Sequence, residues 1–306
     1  MTAPAPGSSS GPGAGSGPLP AARAPRSAFA RSFFGRLLRN PVGFLGFILA
    51  LFVVLAAAFG PLLSPYDPLA QSIRERFQGP TSAHWLGTDN FGRDTLARIL
   101  HGYRTSIGVS LGAVGIATVV GGMLGLLAAF FGGWVDRIIM RFMDVLLAFP
   151  IILLAIAVLA VLGPGSLNTG LAIGIVYTPI FARLARAPAL TVLNWDYVSA
   201  ARALGSSPAR ILARHVTPNI LAPIMVQVTL SLSTAILVEA SLSFLGLGTQ
   251  PPTPSLGLML SESRNTMLLS PWVSVFSGLA ILLASLGFNL FGDGLRDLLD
   301  PTLRDV

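Results

Sequence analysis

The sequence predicts an all-α, multi-pass membrane protein with six transmembrane helices, and three observations lead to this class. Hydrophobic residues make up 53% of the 306 residues, whereas charged residues make up only 11%, less than half the share usual in soluble domains. The apolar residues are grouped in six runs, each close to the roughly 20 residues that cross a bilayer as a helix. Arginine-rich segments separate several of these runs.

Each predicted span is a run of apolar residues about as long as the bilayer is thick. The first is too long for the apolar part of a cleaved signal peptide, and further spans follow it, so we expect it to remain as an anchor. Pro150 and Pro179 fall inside spans, where prolines are tolerated because neighbouring helices satisfy the freed carbonyl groups. The predicted spans are 42–63, 107–131, 142–163, 169–186, 219–245 and 272–292.

Four glycines are spaced along the second span in two pairs, Gly108 with Gly112 and Gly121 with Gly125. Small residues four positions apart lie on one face of a helix and let a neighbouring helix approach closely. The sequence therefore predicts close helix packing at both pairs.

The distribution of arginine predicts that both termini lie in the cytoplasm. With the N-terminus inside, fourteen of the twenty arginines fall on the inner side and six on the outer side. Cytoplasmic loops carry the excess of basic residues, so this orientation is favoured. The predicted units are a disordered tail at 1–30, a basic lead-in with the first transmembrane helix at 31–63, an extracytoplasmic segment at 64–105, a five-helix core at 106–292 that includes a cytoplasmic loop at 187–218, and a cytoplasmic tail at 293–306.

The composition also excludes several kinds of chemistry. The chain has no cysteine, which rules out disulfides, iron–sulfur clusters and thiolate zinc sites. All twenty basic residues are arginine, and a Walker A loop needs a lysine to reach the nucleotide phosphates. The three histidines lack metal-ligand spacing, so we expect neither a metal nor a cofactor on this chain. The net charge of +7 indicates cytoplasmic loops rather than nucleic-acid binding.

The stretch YVSAARALGSSPARILARHVTP, residues 197–218, interrupts the apolar runs with a polar, cationic segment. Its first two turns are expected to end at Gly205, because glycine adopts positive φ readily. Ser207 is a good N-cap and Pro208 suits the first helical position, so a second helix is predicted at 208–216. The stretch is therefore predicted to be a short helix–glycine turn–helix.

The second helix of this stretch has two faces, and two interpretations follow from them. Arg210 and Arg214 share one face, and Pro218 is predicted to close the unit before the fifth span. The other face is formed by Ile211, Leu212, His215 and Val216. An amphipathic pair of this kind fits either an interfacial element that lies on anionic lipid headgroups or a docking element for another protein.

The sequence pattern AARALGxxxxRIxxRHVxPN resembles the EAA loop of ABC-importer permeases. That loop is the coupling element that binds in a groove of a cytoplasmic ATPase. Ser199 stands where that family most often has Glu, and Thr217 stands where Leu is usual. The matching positions are Ala200, Ala201, Gly205, Ile211 and Pro218.

Four further stretches resemble the dipeptide, oligopeptide and nickel permeases, and in particular the second of their two permease subunits. They follow one another in the family's order, and the resemblance covers nearly all of the chain after residue 80. The stretches are HWLGTDNFGRDTLARILHGYRTS (84–106), MDVLLAFP (143–150), EASLSFLGLGTQPPTPSLGLML (239–260) and FNLFGDGLRDLLDP (288–301).

This resemblance implies a permease subunit of the type I ABC-importer fold, in the plasma or inner membrane of a bacterium or archaeon. Such a chain forms half of a pathway for di- or oligopeptides and has no catalytic residues of its own. The implied partners are a second homologous permease subunit, one or two cytoplasmic ATPase subunits that bind ATP and Mg²⁺, an extracytoplasmic substrate-binding protein and the lipid bilayer. Nickel or another small solute as cargo, a secondary transporter and a membrane-anchored scaffold are the alternatives.

The resemblance also assigns candidate residues to the coupling loop. Arg202, Arg210 and Arg214 are candidates for the contact surface with the ATPase. The small residues Ala200, Ala201 and Gly205 are candidates for close backbone packing, and Ile211 and Pro218 complete the framework.

Three polar residues within or beside the spans are candidates for the pathway or its gate. Glu239 lies among apolar residues, where a carboxylate is costly; the alternatives are structural pairing or exposure at headgroup level. Asp144 is the second candidate, and a pair with Arg141 in the same helix is its alternative. Gln227 is the third, and a hydrogen bond between helices is its alternative.

The outer stretch GTDNFGRDTLAR supplies candidates for contact with a substrate-binding protein, namely Asp89, Arg93 and Asp94. Structural scaffolding is the alternative role. In that interpretation, Asp89 serves a turn or a helix entry, and Asp94 forms an exposed pair with Arg98 one turn along a helix.

Overall fold

The structure is a computed structural model that describes residues 40–299. The predicted tail at 1–30, the basic lead-in up to residue 39 and the last residues of the predicted 293–306 tail therefore lie outside the described residues. The helices of the described part are α1 (Pro41–Leu63), α2 (Thr95–Phe131), α3 (Gly133–Leu147), α4 (Ile151–Leu162), α5 (Ser166–Leu193), α6 (Asp196–Ala203), α7 (Pro208–Ile211), α8 (Thr217–Phe244), α9 (Leu256–Ser263) and α10 (Trp272–Leu299).

Polar side chains cap the starts of several helices, as expected where the first amide groups have no partner within the helix. Asn40 precedes α1, and its side chain accepts a hydrogen bond from the amide of Gly43. Asp94 caps α2 in the same way through the amide of Ala97. These caps fix the first residues of α1 and α2.

Among the described residues, five helical segments are long and apolar enough to cross a membrane, namely α1, α2, α5, the helical run Pro208–Phe244 and α10. The bent pair of α3 and α4 gives a sixth span if the pair is counted as one. The prediction of an all-α membrane fold is confirmed, and the number of spans agrees with six on this count.

The third predicted span differs from the structure in its shape. A single proline-kinked helix was expected at 142–163, whereas α3 and α4 are separate helices whose axes differ by 98°. The break falls immediately before Pro150, which has no amide hydrogen to continue the ladder and restricts the residue before it. With 12 residues, α4 is about 18 Å long.

Three spans are clearly longer than the sequence predicts. The second begins at Thr95 rather than at residue 107, the fourth covers Ser166–Leu193 rather than 169–186, and the sixth covers Trp272–Leu299 rather than 272–292. Arg98, in the turns added to the second span, and Arg186, at the predicted end of the fourth, are both paired with carboxylates, so their charge does not end the helices. The cytoplasmic loop predicted at 187–218 consequently begins inside α5.

The glycines of α2 show that only one predicted pair lies at a helix contact. A Cβ atom added at Gly121 or Gly125 would lie 2.4 or 2.2 Å from a carbonyl oxygen of α5. A Cβ atom at Gly108 or Gly112 would meet no atom within 4 Å. Close packing of α2 on α5 is therefore confirmed at the second pair, and the prediction for the first pair is wrong for this chain on its own.

The first and last helices pack against each other in opposite directions. The start of α1 meets the end of α10, where a Cβ atom at Gly43 would lie 2.8 Å from the Cα atom of Gly294. At the same end, Asn40 Nδ2 donates a hydrogen bond of 2.9 Å to Asp297 Oδ2. Both ends of the described chain therefore lie on one side of the helical bundle.

Candidate functional site

The segment between α5 and α8 forms the helix–turn–helix that the sequence predicts. Helix α6 ends at Ala203, and Gly205 follows with φ of +80°, which a residue without a Cβ atom adopts at little cost. The Ser207 hydroxyl then accepts a hydrogen bond from the amide of Arg210 and caps α7. We call residues 196–216 the inner hairpin.

Pro218 does not close this unit, contrary to the prediction. The chain continues from α7 through a π-helical turn, Leu212–Val216, directly into α8. The amide of Thr217 donates to the carbonyl of Leu212, five residues earlier. A wider turn of this kind accommodates a proline that has no amide hydrogen. The second arm of the inner hairpin is therefore the first part of a helical run that crosses the bundle.

The inner hairpin is anchored by apolar side chains and presents a basic face. Val198 and Ile211 are buried, and they pack with Ala185, Ala189, Val192, Val216 and Ile220. By contrast, the three candidate arginines are exposed, as are Ala200, Gly205 and Pro218, while Ala201 is half-buried. Leu204, at the tip, is 88% exposed. The exposed face of the inner hairpin is therefore cationic, with one large apolar side chain at its tip.

Two contacts hold the inner hairpin against the spanning helices. The guanidinium carbon of Arg202 lies 5.8 Å from the ring centroid of Phe130, near the end of α2. Asn219 Nδ2, at the start of α8, donates a hydrogen bond of 3.1 Å to the Tyr197 hydroxyl of α6. The hairpin is thus joined to α2 as well as to α5 and α8.

Asp144 pairs with a neighbouring helix and not with Arg141 of its own helix. Arg183 Nη2 of α5 donates to Asp144 Oδ1 at 2.5 Å. One helical turn further along α5, both Arg186 Nε and Arg186 Nη2 donate to the carboxylate of Asp136 at 2.5 Å. Two ion pairs therefore fasten α3 to the part of α5 that leads into the inner hairpin.

Gln227 lies in α8 beside a cleft. Its Nε2 atom donates a hydrogen bond of 3.1 Å to the Ser231 hydroxyl, one turn along the same helix, so the expected bond between helices is not formed. The side chain lines a cleft of about 520 Å³ between α5, α8 and α10, together with Leu184 and Arg296. This position leaves its amide available to a molecule in the cleft.

Glu239 is fully buried, so exposure at headgroup level is wrong for this residue. The Ser243 hydroxyl donates to Glu239 Oε1 at 2.8 Å and accepts from the amide of Thr249 at 3.2 Å. The carboxylate therefore holds the turn that follows α8. Its role in the pathway stays a prediction.

The outer segment and α9 together form a network of two arginines and two carboxylates, in which Asp89, Arg93 and Arg98 are buried and Glu262 is partly exposed. Asp89 Oδ2 accepts from Arg93 Nε at 2.6 Å and from Arg98 Nη1 at 2.5 Å. Glu262 Oε2, in α9, accepts from Arg93 Nη2 at 3.0 Å and from Arg98 Nη2 at 2.9 Å. The exposed pair expected between Asp94 and Arg98 is therefore wrong, since Arg98 is only 1% exposed and binds other partners. We call these four paired residues the outer network.

Asp94 is also buried and has two structural partners. It caps α2, and its Oδ2 atom lies 2.8 Å from His84 Nδ1. Asp89 additionally accepts hydrogen bonds from the amides of Phe91 and Arg93, which confirms the predicted turn. The contact of Asp89, Arg93 and Asp94 with a binding protein stays a prediction, and the structure gives each of them partners within the chain.

Sequence reasoning missed Glu262 and His84 as members of this region. Glu262 is 164 positions from Arg98, and no local spacing links the two. His84 lies next to a candidate stretch, but its sequence neighbours do not indicate an aspartate partner. Proximity created by the fold, and not a motif, assembles the outer network.

Comparison with known families defines the class of this protein. Residues 121–305 match the family described as the binding-protein-dependent transport system inner membrane component. Residues 28–80 match the N-terminal transmembrane domain of oligopeptide transport permease C. The chain therefore belongs to the family of binding-protein-dependent ABC-importer permeases, and it is a multi-pass inner-membrane protein, as the sequence predicts.

Several curated relatives resemble the chain over most of their length. The chain is 46% identical over 274 residues to the dipeptide transport system permease protein DppC of Alkalihalophilus pseudofirmus, covering 90% of each chain. It is 45% identical over 275 residues to the glutathione transport system permease protein GsiD of Pectobacterium atrosepticum, covering 90% of this chain and 91% of the relative. It is 44% identical over 282 residues to the di/tripeptide transport system permease protein DppC of Pseudomonas aeruginosa, covering 90% and 93%.

A solved structure shares the fold. The chain superimposes with a TM-score of 0.53 on a chain of the MetNI methionine ABC transporter in an inward-facing conformation. The match covers 66% of this chain and 96% of that chain, at 16% sequence identity. This likeness shows the permease fold that the sequence predicts.

Proposed function

We propose that this chain is the permease subunit of an ABC importer for short peptides and forms half of its translocation pathway. A second homologous permease subunit supplies the other half, one or two cytoplasmic subunits hydrolyse ATP, and an extracytoplasmic protein delivers the substrate. The observation that carries this proposal is the inner hairpin, an exposed basic element that continues into a membrane-crossing helix.

The inner hairpin has the properties needed to receive motion from another subunit. Leu204 and the exposed arginines Arg202, Arg210 and Arg214 offer one apolar contact and three cations. The buried anchors beneath them resist deformation, because a packed interior moves as a unit. A force on the hairpin is therefore passed to α5 and α8 rather than absorbed by a loose loop.

The chain transports by changing conformation and not by catalysis. ATP binding and hydrolysis on partner subunits shift the equilibrium between inward- and outward-facing states only if the partner contacts the hairpin differently in the two states. Ala200, Ala201 and Gly205 lack bulky side chains, which permits close backbone approach of the partner. We infer that Gln227 and Arg296, which line the cleft beside α8, contact cargo on the inner side.

The names of the relatives favour peptides as cargo. Two are named for dipeptides or di/tripeptides and one for glutathione, itself a short peptide. Uptake in proteoliposomes that contain both permease subunits, the ATPase subunits and the binding protein tests this assignment. We expect ATP-dependent uptake of a dipeptide or tripeptide, whereas uptake driven by an ion gradient without the ATPase subunits would contradict the proposal.

Gly205 provides the point test of coupling. Nothing lies within 4 Å of a Cβ atom added there, so a substitution acts on the backbone, which must hold φ of +80°. We expect Gly205→Val to abolish most of the substrate-stimulated ATP hydrolysis of the full complex, because a β-branched residue disfavours this conformation. Membrane insertion is expected to be unchanged.

Gly205→Asn is the matched control, since asparagine tolerates left-handed backbone better than valine does. It is expected to keep most of the stimulation. Equal stimulation in wild type, Gly205→Val and Gly205→Asn would contradict a coupling role for the inner hairpin.

A further inference from the structure

Helix α3 combines features that none of the spanning helices has. It contains four charged residues in 15 positions, yet several of its large apolar side chains are exposed. The exposed members are Trp134 (73%), Val135 (42%), Ile138 (64%), Phe142 (59%) and Val145 (51%). An exposed apolar face of this size needs a medium that covers it.

The side chains of α3 fall into three sectors around its axis. At 100° per residue, the five exposed apolar residues share one sector, and Met143 with Asp136 lies on the opposite side, against the bundle. Arg137 and Arg141 occupy the border between these two sectors. Apolar residues flanked by arginines are the pattern of a helix that lies in the headgroup region of a membrane.

The two arginines at the border are not neutralised within residues 40–299. The carboxylates Asp136 and Asp144 are already bound by Arg186 and Arg183 of α5. Among the described residues, no carboxylate lies within salt-bridge distance of Arg137 or Arg141. The guanidinium of Arg137 instead lies 4.8 Å from the ring centroid of Trp134.

The ion pairs to α5 also show how α3 is oriented. Asp136 and Asp144 are eight residues apart, about 12 Å along α3, whereas their partners on α5 are three residues apart, about 4.5 Å. The unequal spacings agree with two helices that cross at an angle. Since α5 is a spanning helix, they agree with α3 lying close to the plane of the membrane.

The direction of α4 agrees with this placement. Asn168 Nδ2, near the start of α5, donates to the carbonyl of Leu162 at 2.8 Å, so the end of α4 meets the beginning of α5. The start of α4 follows the end of α3, which is paired to the far part of α5. Helix α4 is too short to cross the membrane alone, but it runs alongside α5, and the 98° bend therefore turns α3 toward the membrane surface.

We propose that α3 is an interfacial helix that binds anionic phospholipid, with Arg137 and Arg141 on the headgroup phosphates and Trp134, Ile138 and Phe142 among the acyl chains. The site lies at the end of the bundle that carries the inner hairpin. Its ion pairs fasten the lipid-bound helix to α5 directly before that hairpin. The proposal depends on membrane insertion and not on the substrate or the ATPase, so it stands or fails independently of the proposed function.

Lipid retention tests the headgroup site. The purified complex in detergent is incubated with equal amounts of phosphatidylglycerol and phosphatidylcholine, and the lipids retained after chromatography are counted by native mass spectrometry. We expect the wild type to prefer phosphatidylglycerol, and Arg137→Gln with Arg141→Gln to lower this preference roughly fivefold or more. Lysine at both positions, which keeps the charge, should retain most of the preference.

Arg74→Gln with Arg264→Gln is the matched control, because both arginines are exposed and lie at the opposite end of the bundle. Its lipid preference should equal that of the wild type. An unchanged preference in the variant at positions 137 and 141, or an equal loss in this control, would overturn the proposal.

The apolar face of α3 can be tested separately by spin labelling. The chain contains no native cysteine, so a single introduced cysteine is the only labelling site on this chain. Ile138→Cys carrying a spin label, in the complete complex in bilayers, should be accessible to lipid-dissolved oxygen and shielded from an aqueous nickel chelate. A label protected from both reagents would show that a protein subunit covers α3, and a label open to the nickel chelate would show that water does. Either of these two results would overturn the proposal.

Discussion

At the scale of single residues, the structure gives the outer segment a polar interior. Arg98 is 1% exposed and reaches two carboxylates that belong to different parts of the chain, Asp89 and Glu262. A buried charge of this kind is tolerated because its partners compensate for the lost hydration. The network fixes the outer segment to α2 and α9, whatever further contacts the outer surface makes.

Removal of Arg98 tests how strongly the network holds. Arg98→Met keeps much of the side-chain volume but leaves Asp89 and Glu262 without one of their two cations. We expect a loss of about 1.5–3 kcal/mol, because each carboxylate keeps Arg93 but loses one charge-assisted hydrogen bond. Thermal unfolding of the purified complex measures this loss. Arg74→Met, at an exposed position, is the control, and equal unfolding temperatures for the two variants would contradict a structural role for the network.

At the scale of helices, the contact between α2 and α5 depends on small residues at one level of the membrane. Gly121 and Gly125 let the two backbones approach, whereas Gly108 and Gly112 face open space beside a cavity of about 230 Å³. In a bilayer the helices gain little from burying apolar surface, so close packing supplies much of their association. The two pairs have the same spacing but different surroundings.

Two alanine substitutions, one in each glycine pair, test whether only the second pair lies at a close helix contact. Gly125→Ala brings a Cβ atom to 2.2 Å from a carbonyl oxygen of α5, and we expect a destabilisation of about 1–3 kcal/mol, since the helices must move apart. Gly112→Ala, in the same helix, meets nothing within 4 Å and should have little effect. The measurement is thermal stability of the detergent-solubilised complex, and a larger loss for Gly112→Ala would contradict the packing shown here.

At the scale of the whole molecule, the described chain places its two polar regions at opposite ends of the bundle. The outer network lies where α2 begins, and the inner hairpin lies where α5 ends. The contact between Asn40 and Asp297 puts both ends of the described chain on the hairpin side. Together with the arginine distribution, this arrangement predicts that the hairpin side is cytoplasmic.

Single cysteines test this orientation against a background free of native cysteine in this chain. Ser82 and Ser207 are both exposed and lie at opposite ends of the bundle. We expect Ser82→Cys to react with a membrane-impermeant maleimide in sealed spheroplasts, and Ser207→Cys to react only after permeabilisation. The reverse pattern of labelling would invert the predicted topology.

The sequence predicted local features well, because those depend on residues close together in the chain. The glycine turn at Gly205, the cap at Ser207 and the apolar spans are all set by propensity and periodicity. The arginine-to-carboxylate pairs were beyond sequence reasoning. Arg98 with Glu262 and Arg183 with Asp144 are 164 and 39 positions apart, and only the packing of the helices brings these side chains together.

The break at Pro150 was predicted as a kink and is a right-angled turn. Proline explains why the helix is interrupted but not by how much, because the angle depends on what each half packs against. The continuous passage through Pro218 was missed for a related reason. A π turn precedes Pro218 and lets the helix continue although proline has no amide hydrogen to donate, and such a turn has no sequence signature.

The unbroken run from the inner hairpin into α8 has a geometric consequence for the transport cycle. With 28 residues, α8 is about 42 Å long, longer than the hydrocarbon core is thick. A helix of this length that tilts as a unit about a point near its middle carries its two ends in opposite directions. We predict that an opening motion of α8 on one side of the membrane is accompanied by a narrowing on the other side.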